Sequence, residues 1–113
     1  MWEVGERFER LHVALERGNY SLASYHWGKI RTTIENGIAK GPKRRPNAEG
    51  LFLAPVREDV EADLKSADAR RAWAGFERAK AACQACHEAD EVAYMNDQPL
   101  FDLAAPPASA NRQ

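Results

Sequence analysis

Apolar positions recur along the chain at helical spacing, and little in it alternates as a strand would. Over residues 2–17, Val4, Phe8, Leu11 and Leu15 stand four, three and four apart, which sets them on one stripe of a helix. Arg17-Gly18-Asn19 ends this helix, with glycine as the stop. Residues 20–38 repeat the alternation with Ala23, Trp27, Ile30 and Ile34; Ser21 is a candidate cap, and Gly37 and Gly41 weaken the end. Residues 39–55 hold three prolines and two glycines and read as a long connection, with Phe52 and Leu53 tucked onto the bundle. Pro55 introduces a short third helix carrying Val56, Val60 and Leu64 and ending near Ser66. Asp68 then caps a fourth, whose continuous face carries Ala69, Trp73, Phe76, Ala79, Cys83 and the pair Cys86/His87. The polar, proline-bearing end "APPASANRQ" reads as a frayed tail.

Four amphipathic segments with short first and third connections predict an all-α fold, an antiparallel four-helix bundle over residues 1–104 with a flexible tail at 105–113. A chain of 113 residues has room for one core. A formal charge of −1 argues against a general nucleic-acid binder. That total hides an asymmetry: residues 1–55 carry nine Lys/Arg against six Asp/Glu, and residues 56–113 carry seven against eleven. Solvated helix faces of opposite sign account for it. No run reaches the roughly 18–20 apolar residues of a membrane span, and the charged start "MWEVGERFER" does not read as a secretory signal.

The chemistry is concentrated in one place. Both cysteines of the chain lie in Cys83-Gln84-Ala85-Cys86-His87, which has the Cys-x-x-Cys-His form of a c-type haem attachment site. On a helical turn, side chains three apart project to one side, where two thiols can form thioethers with the two vinyl groups of one haem. The next residue, His87, brings its imidazole under the iron as proximal ligand. Other uses of the motif fit less well. A thiol redox pair opens a helix after a strand, whereas this motif lies inside a helix. A disulfide across three residues staples almost nothing. A structural zinc site wants four ligands, so His12 or His26 would have to join the three residues here.

Only 27 residues follow Cys86. An attachment motif this late, on the last helix of a bundle, resembles the class II c-type cytochromes: the cytochrome c′ group and small monohaem four-helix-bundle relatives. The stretch "RLHVALERGNYSLASYHWGKI" at residues 10–30 is similar to a turn found in such small bundle cytochromes, through Asn19, Tyr20, Leu22, Ala23 and Tyr25. The resemblance implies a periplasmic bacterial protein with one covalently attached haem c, made with a signal peptide that the sequence does not include. The chain departs from the cytochrome c′ group after the histidine, where Glu88, Asp90 and Glu91 stand in place of a basic residue.

The side opposite His87 decides what such a protein does. A second strong ligand suits electron transfer; an open position suits a small ligand. By the same resemblance, a sixth ligand would come from the first helix. His12 lies at the edge of the apolar stripe and is the candidate distal ligand; a half-buried interface histidine hydrogen-bonded to a neighbouring helix is the alternative. Met1 shares that edge, His26 reads as surface, and Met95 reads as gap-filling. Phe8 stands where the small relatives commonly have a histidine, and would close an apolar lid over a five-coordinate iron; ordinary core packing explains it better. Trp73 and Phe76 share a face with Cys83 and are the expected haem contacts, with Trp27, Tyr20 and Tyr25 as core or pocket lining and Tyr94 near the haem edge.

Lys40, Lys43, Arg44 and Arg45 form a basic loop, solvated or able to steer an acidic redox partner protein. The apolar seam on the first two helices, with Trp2 off the main stripe, is a candidate homodimer interface. No nucleophile–base pair or paired carboxylates mark a catalytic site. The expected function is that of a monohaem electron carrier. A five-coordinate haem protein binding nitric oxide or carbon monoxide is the alternative, and a haem-free interaction or zinc module the third reading.

Overall fold

The computed structural model describes residues 2–40, 45–47, 49–50 and 54–106. Among them there are four long helices and no strand: α1 (Trp2–Glu16), α2 (Tyr20–Lys40), α3 (Ala54–Lys65) and α4 (Ala69–Ala89). A single helical turn, Arg45–Asn47, precedes α3, and two 3₁₀ turns, Ala93–Asn96 and Pro99–Asp102, follow α4. Helix α1 packs on α2, α2 on α3, α3 on α4, and α4 meets α1. No described helix is long and apolar enough to cross a membrane.

The expected stripes form the core. Val4, Phe8, Leu11 and Leu15 of α1 are buried against Ala23, Trp27 and Ile30 of α2, Val56, Val60 and Leu64 of α3, and Ala72, Trp73, Phe76, Ala79 and Cys83 of α4. Helix α1 stops because Gly18 takes a left-handed φ of 68°. There Gly18 N–H donates to Leu15 O and Asn19 N–H to Ala14 O, at 3.0 and 2.8 Å, the paired bonds of a Schellman motif. That geometry also selects the next cap. Asn19 Oδ1, rather than the expected Ser21, accepts from Leu22 N–H at 3.1 Å. The first intrahelical bond, Ala23 N–H to Asn19 O, starts from the same residue, so Ser21 is already inside the helix.

Two side chains of α2 lie opposite to expectation. His26 is buried at 6 % exposure, and Tyr25 is exposed at 53 %. At about 100° per residue, His26 falls within about 60° of Ala23 and 40° of Ile30, whereas Tyr25 falls on the far side. His26 faces α1, where Arg7 Nη1 lies 3.3 Å from its Nδ1.

The α3–α4 turn uses Ser66, Ala67 and Asp68. Ala67 sits at a φ of 56°, and Asp68 caps α4 as expected, accepting from Arg71 N–H at 3.2 Å. The two helices come close at Gly75, where a Cβ would lie 2.9 Å from Asp63 Cβ. Asp63 is buried there and paired with Arg71 at 3.2 Å and with Arg78.

Helix α4 ends just past the cysteine motif. Glu91 adopts a φ of 60°, with Glu91 N–H donating to Glu88 O and Val92 N–H to His87 O. The chain then doubles back. Leu100 is buried beside Gly5 of α1, Lys80 of α4 donates to Leu103 O, and Ala105 N–H donates to Glu77 at 2.9 Å. Of the expected tail, only Ala105 and Pro106 are described. Phe52, Leu53, Lys43 and Arg44 lie outside the described residues, as do the side chains of Trp2, Lys40 and Arg45.

Candidate functional site

Cys83, Cys86 and His87 occupy the last turns of α4. Relative to Cys83, the helix rotates Cys86 by about −60° and His87 by about +40°, so the three side chains share an arc of about 100°. Cys83 is in the core, and Cys86 is half-buried. Neither cysteine is in a disulfide. Burial, and then the neighbouring Cys86, push the Cys83 thiol far above its ordinary pKa. A thiol held protonated in this way is a poor exchange nucleophile. Among the described residues, no group of three or more His, Cys, Asp or Glu side chains is gathered to hold a metal ion. A zinc cage needs that convergence on one point. Haem attachment would not need it, since two thiols and an imidazole would hold separate parts of that group.

Residues outside the motif hold it in place. His87 is buried, and its Nδ1 lies 2.7 Å from Asn96 Oδ1. Asn96 is oriented in turn, its Nδ2 donating to Gln84 O at 3.4 Å. An amide oxygen accepts, so this contact is a hydrogen bond in the tautomer that carries its proton on Nδ1. That tautomer keeps the lone pair on Nε2, the form in which imidazole binds a metal. The Phe101 ring meets the His87 ring edge to face, centroids 5.8 Å apart and planes at 85°. Cys86 Sγ points to Asp90 Oδ2 at 3.9 Å, and Asp90 accepts from Asn47 Nδ2 at 2.6 Å. That last bond ties the turn before α3 to the end of α4. These features fit a haem: two thiols and one imidazole on one arc of α4, with apolar side chains around Cys83.

The aromatic candidates form a second group. His12 packs edge to face on Trp73 and Phe76, at 5.0 and 5.4 Å, and Phe8 meets Phe76 at 6.1 Å. Phe76 lies seven residues before Cys83 and Trp73 ten, about 10 and 15 Å along the helix axis. The two groups share a stripe of α4 and are separated along it. His12 Nε2 lies 2.9 Å from Ala104 O, and its Nδ1 lies 3.5 Å from Glu16. Iron ligation by His12 requires giving up one of these. Phe8 is fully buried in the core. Met95 is half-buried in the 3₁₀ turn after α4, Tyr94 beside it is exposed at 74 %, and Met1 lies outside the described residues.

The sequence pattern did not single out Asn96, Phe101 or Asn47. All three lie in short turns away from the four helices, where side-chain direction follows no period. The one available signal was a polar Asn among the residues just after an attachment histidine. Comparison of the chain with protein-family models, curated proteins and solved structures found no match.

Proposed function

We propose that the chain is a periplasmic monohaem c-type cytochrome that carries single electrons, its four helices arranged as an antiparallel bundle. The observation that carries this reading is the placement of His87 within the Cys-x-x-Cys-His motif: its Nδ1 lies 2.7 Å from Asn96 Oδ1, a contact that suits the tautomer with its lone pair on Nε2.

Each thiol would add across one vinyl group, sulfur bonding to carbon and the thiol hydrogen passing to the neighbouring carbon, with no net oxidation. The haem supplies the one-electron ferric/ferrous couple. The protein's part is to hold the ligand still. His87 is anchored on a helix, bonded to Asn96 and packed on Phe101, so a change of charge at a metal on Nε2 meets little freedom in the ring. Burial of Cys83 among apolar side chains excludes water from that edge of the site.

The engagement of His12 favours a second reading. With Nε2 held by Ala104 O and Phe8 buried in the same core, an iron bound by His87 alone would keep an open position for nitric oxide or carbon monoxide. Optical and electron paramagnetic resonance spectra of the haem-loaded protein, with a redox titration, separate the two. A low-spin ferric signal and a reversible one-electron wave support the carrier. A high-spin ferric signal with saturable carbon monoxide binding to the ferrous form supports the gas-binding reading and overturns the first.

A further inference from the structure

His87 Nδ1 faces the side chain of a residue nine positions further on. Asn96 Oδ1 sits 2.7 Å from His87 Nδ1, and the amide cannot turn its nitrogen to the ring without giving up its own bond to Gln84 O. Asn96 stands at the end of the 3₁₀ turn Ala93–Asn96, which the left-handed Glu91 directs back onto α4. The ring is buried. Among the described residues, Nε2 makes no hydrogen bond.

From this geometry we infer that Asn96 is a positioning residue for the iron ligand: its side-chain oxygen fixes His87 as the Nδ1–H tautomer and aims Nε2 toward the attached group. A hydrogen-bond acceptor at Nδ1 raises the basicity of the opposite nitrogen and holds the ring's rotation, so Asn96 also sets how strongly His87 donates to a metal. The tautomer part of this inference stands on the polypeptide alone. The metal part rests on the haem reading.

Nitrogen-15 NMR of the haem-free chain, at a pH well above the ordinary histidine range, tests the first part directly. In the wild type, Nδ1 of His87 is expected to show the shift of a protonated ring nitrogen and Nε2 that of an unprotonated one. In Asn96→Leu the Nδ1–H to Nε2–H ratio should fall by about fivefold, what one net hydrogen bond is worth; Asn96→Asp, which keeps an acceptor oxygen, should retain the wild-type pattern. A wild-type ring protonated at Nε2 overturns the inference without any variant, as does an Asn96→Leu chain with wild-type helicity and unchanged tautomer.

In haem-loaded protein the reduction potential should fall in Asn96→Asp and rise in Asn96→Leu, an order that a merely structural role would not give. Failure of the haem reading is seen separately. Haem that is not retained covalently, with the tautomer as expected, removes the metal part and leaves Asn96 as the residue that sets the ring.

Discussion

Replacing Gly75 by alanine tests the close approach of α3 and α4, the contact that holds the middle of the helix bearing the cysteine motif. The new Cβ would lie 2.9 Å from Asp63 Cβ and 3.0 Å from Asp63 Oδ2. Relief by side-chain rotation is closed: the nearest atom is fixed to the backbone, and the carboxylate is buried between Arg71 and Arg78. The helices must therefore part, or Asp63 must loosen its ion pairs. Overpacking of this kind costs about 1–3 kcal/mol, against which alanine regains up to about 1 kcal/mol of helix propensity. The net expectation is a loss of about 1–2 kcal/mol. Urea unfolding followed by circular dichroism reads it as a lower midpoint at an unchanged slope, a fall of about 0.5–1.5 M for slopes typical of small proteins. Gly37→Ala is the control, since it lies in α2 with nothing within 4 Å of its added Cβ, and it should be neutral or stabilising. A Gly75→Ala chain as stable as the wild type would refute the reasoning about this contact.

Three further outcomes follow from the same geometry. Ala67→Gly removes a β-carbon at a φ of 56° and should raise the unfolding midpoint by about 0.5–1 kcal/mol equivalent, the left-handed penalty outweighing the added chain entropy. His26 has its pKa lowered from 6.5 by burial and then by Arg7 and Arg10. The unfolded chain thus binds a proton before the folded one does, so this histidine's contribution is fully present above about pH 6.5 and is lost as pH falls toward the lowered native value. Unfolding midpoints measured across that window should show a slope that His26→Phe reduces. Cys83→Ala leaves one attachment point and Cys83→Ala/Cys86→Ala leaves none, so after maturation the single variant should keep part of its haem through organic extraction and the double variant none.

Much of the fold is legible because burial follows periodicity. Val4, Phe8, Leu11 and Leu15, like Val56, Val60 and Leu64, are buried where their spacing places them. Asp68 caps α4 because a short acceptor precedes a helical run. The errors have physical causes of the same grain. Asn19 and Ser21 are equally good cap types, and the choice depended on the left-handed turn at Gly18, a matter of backbone geometry. His26 reads as surface on the flank of the second helix, yet its helical angle places it with Ala23 and Ile30. The cysteine motif is local and therefore readable, whereas its support is not. Asn96, Phe101 and Asn47 reach His87 and Asp90 from turns, and a turn's direction is set by left-handed residues such as Glu91 that carry no compositional mark. The engagement of His12 by Ala104 O spans 92 positions, a separation across which no local pattern acts.

Covalent haem retention tests the central claim most directly. The chain is produced with a bacterial cytochrome c attachment system, unfolded in acid and extracted with acetone, and the protein fraction is examined for a Soret band and, in reduced alkaline pyridine, for the spectrum of haem. The account predicts that the chromophore stays with the polypeptide, with a band position reporting both vinyl groups saturated, and that Cys83→Ala/Cys86→Ala releases it. Wild-type protein whose haem passes wholly into the organic phase, or which takes up none, would contradict the account and return Cys83, Cys86 and His87 to a role without haem.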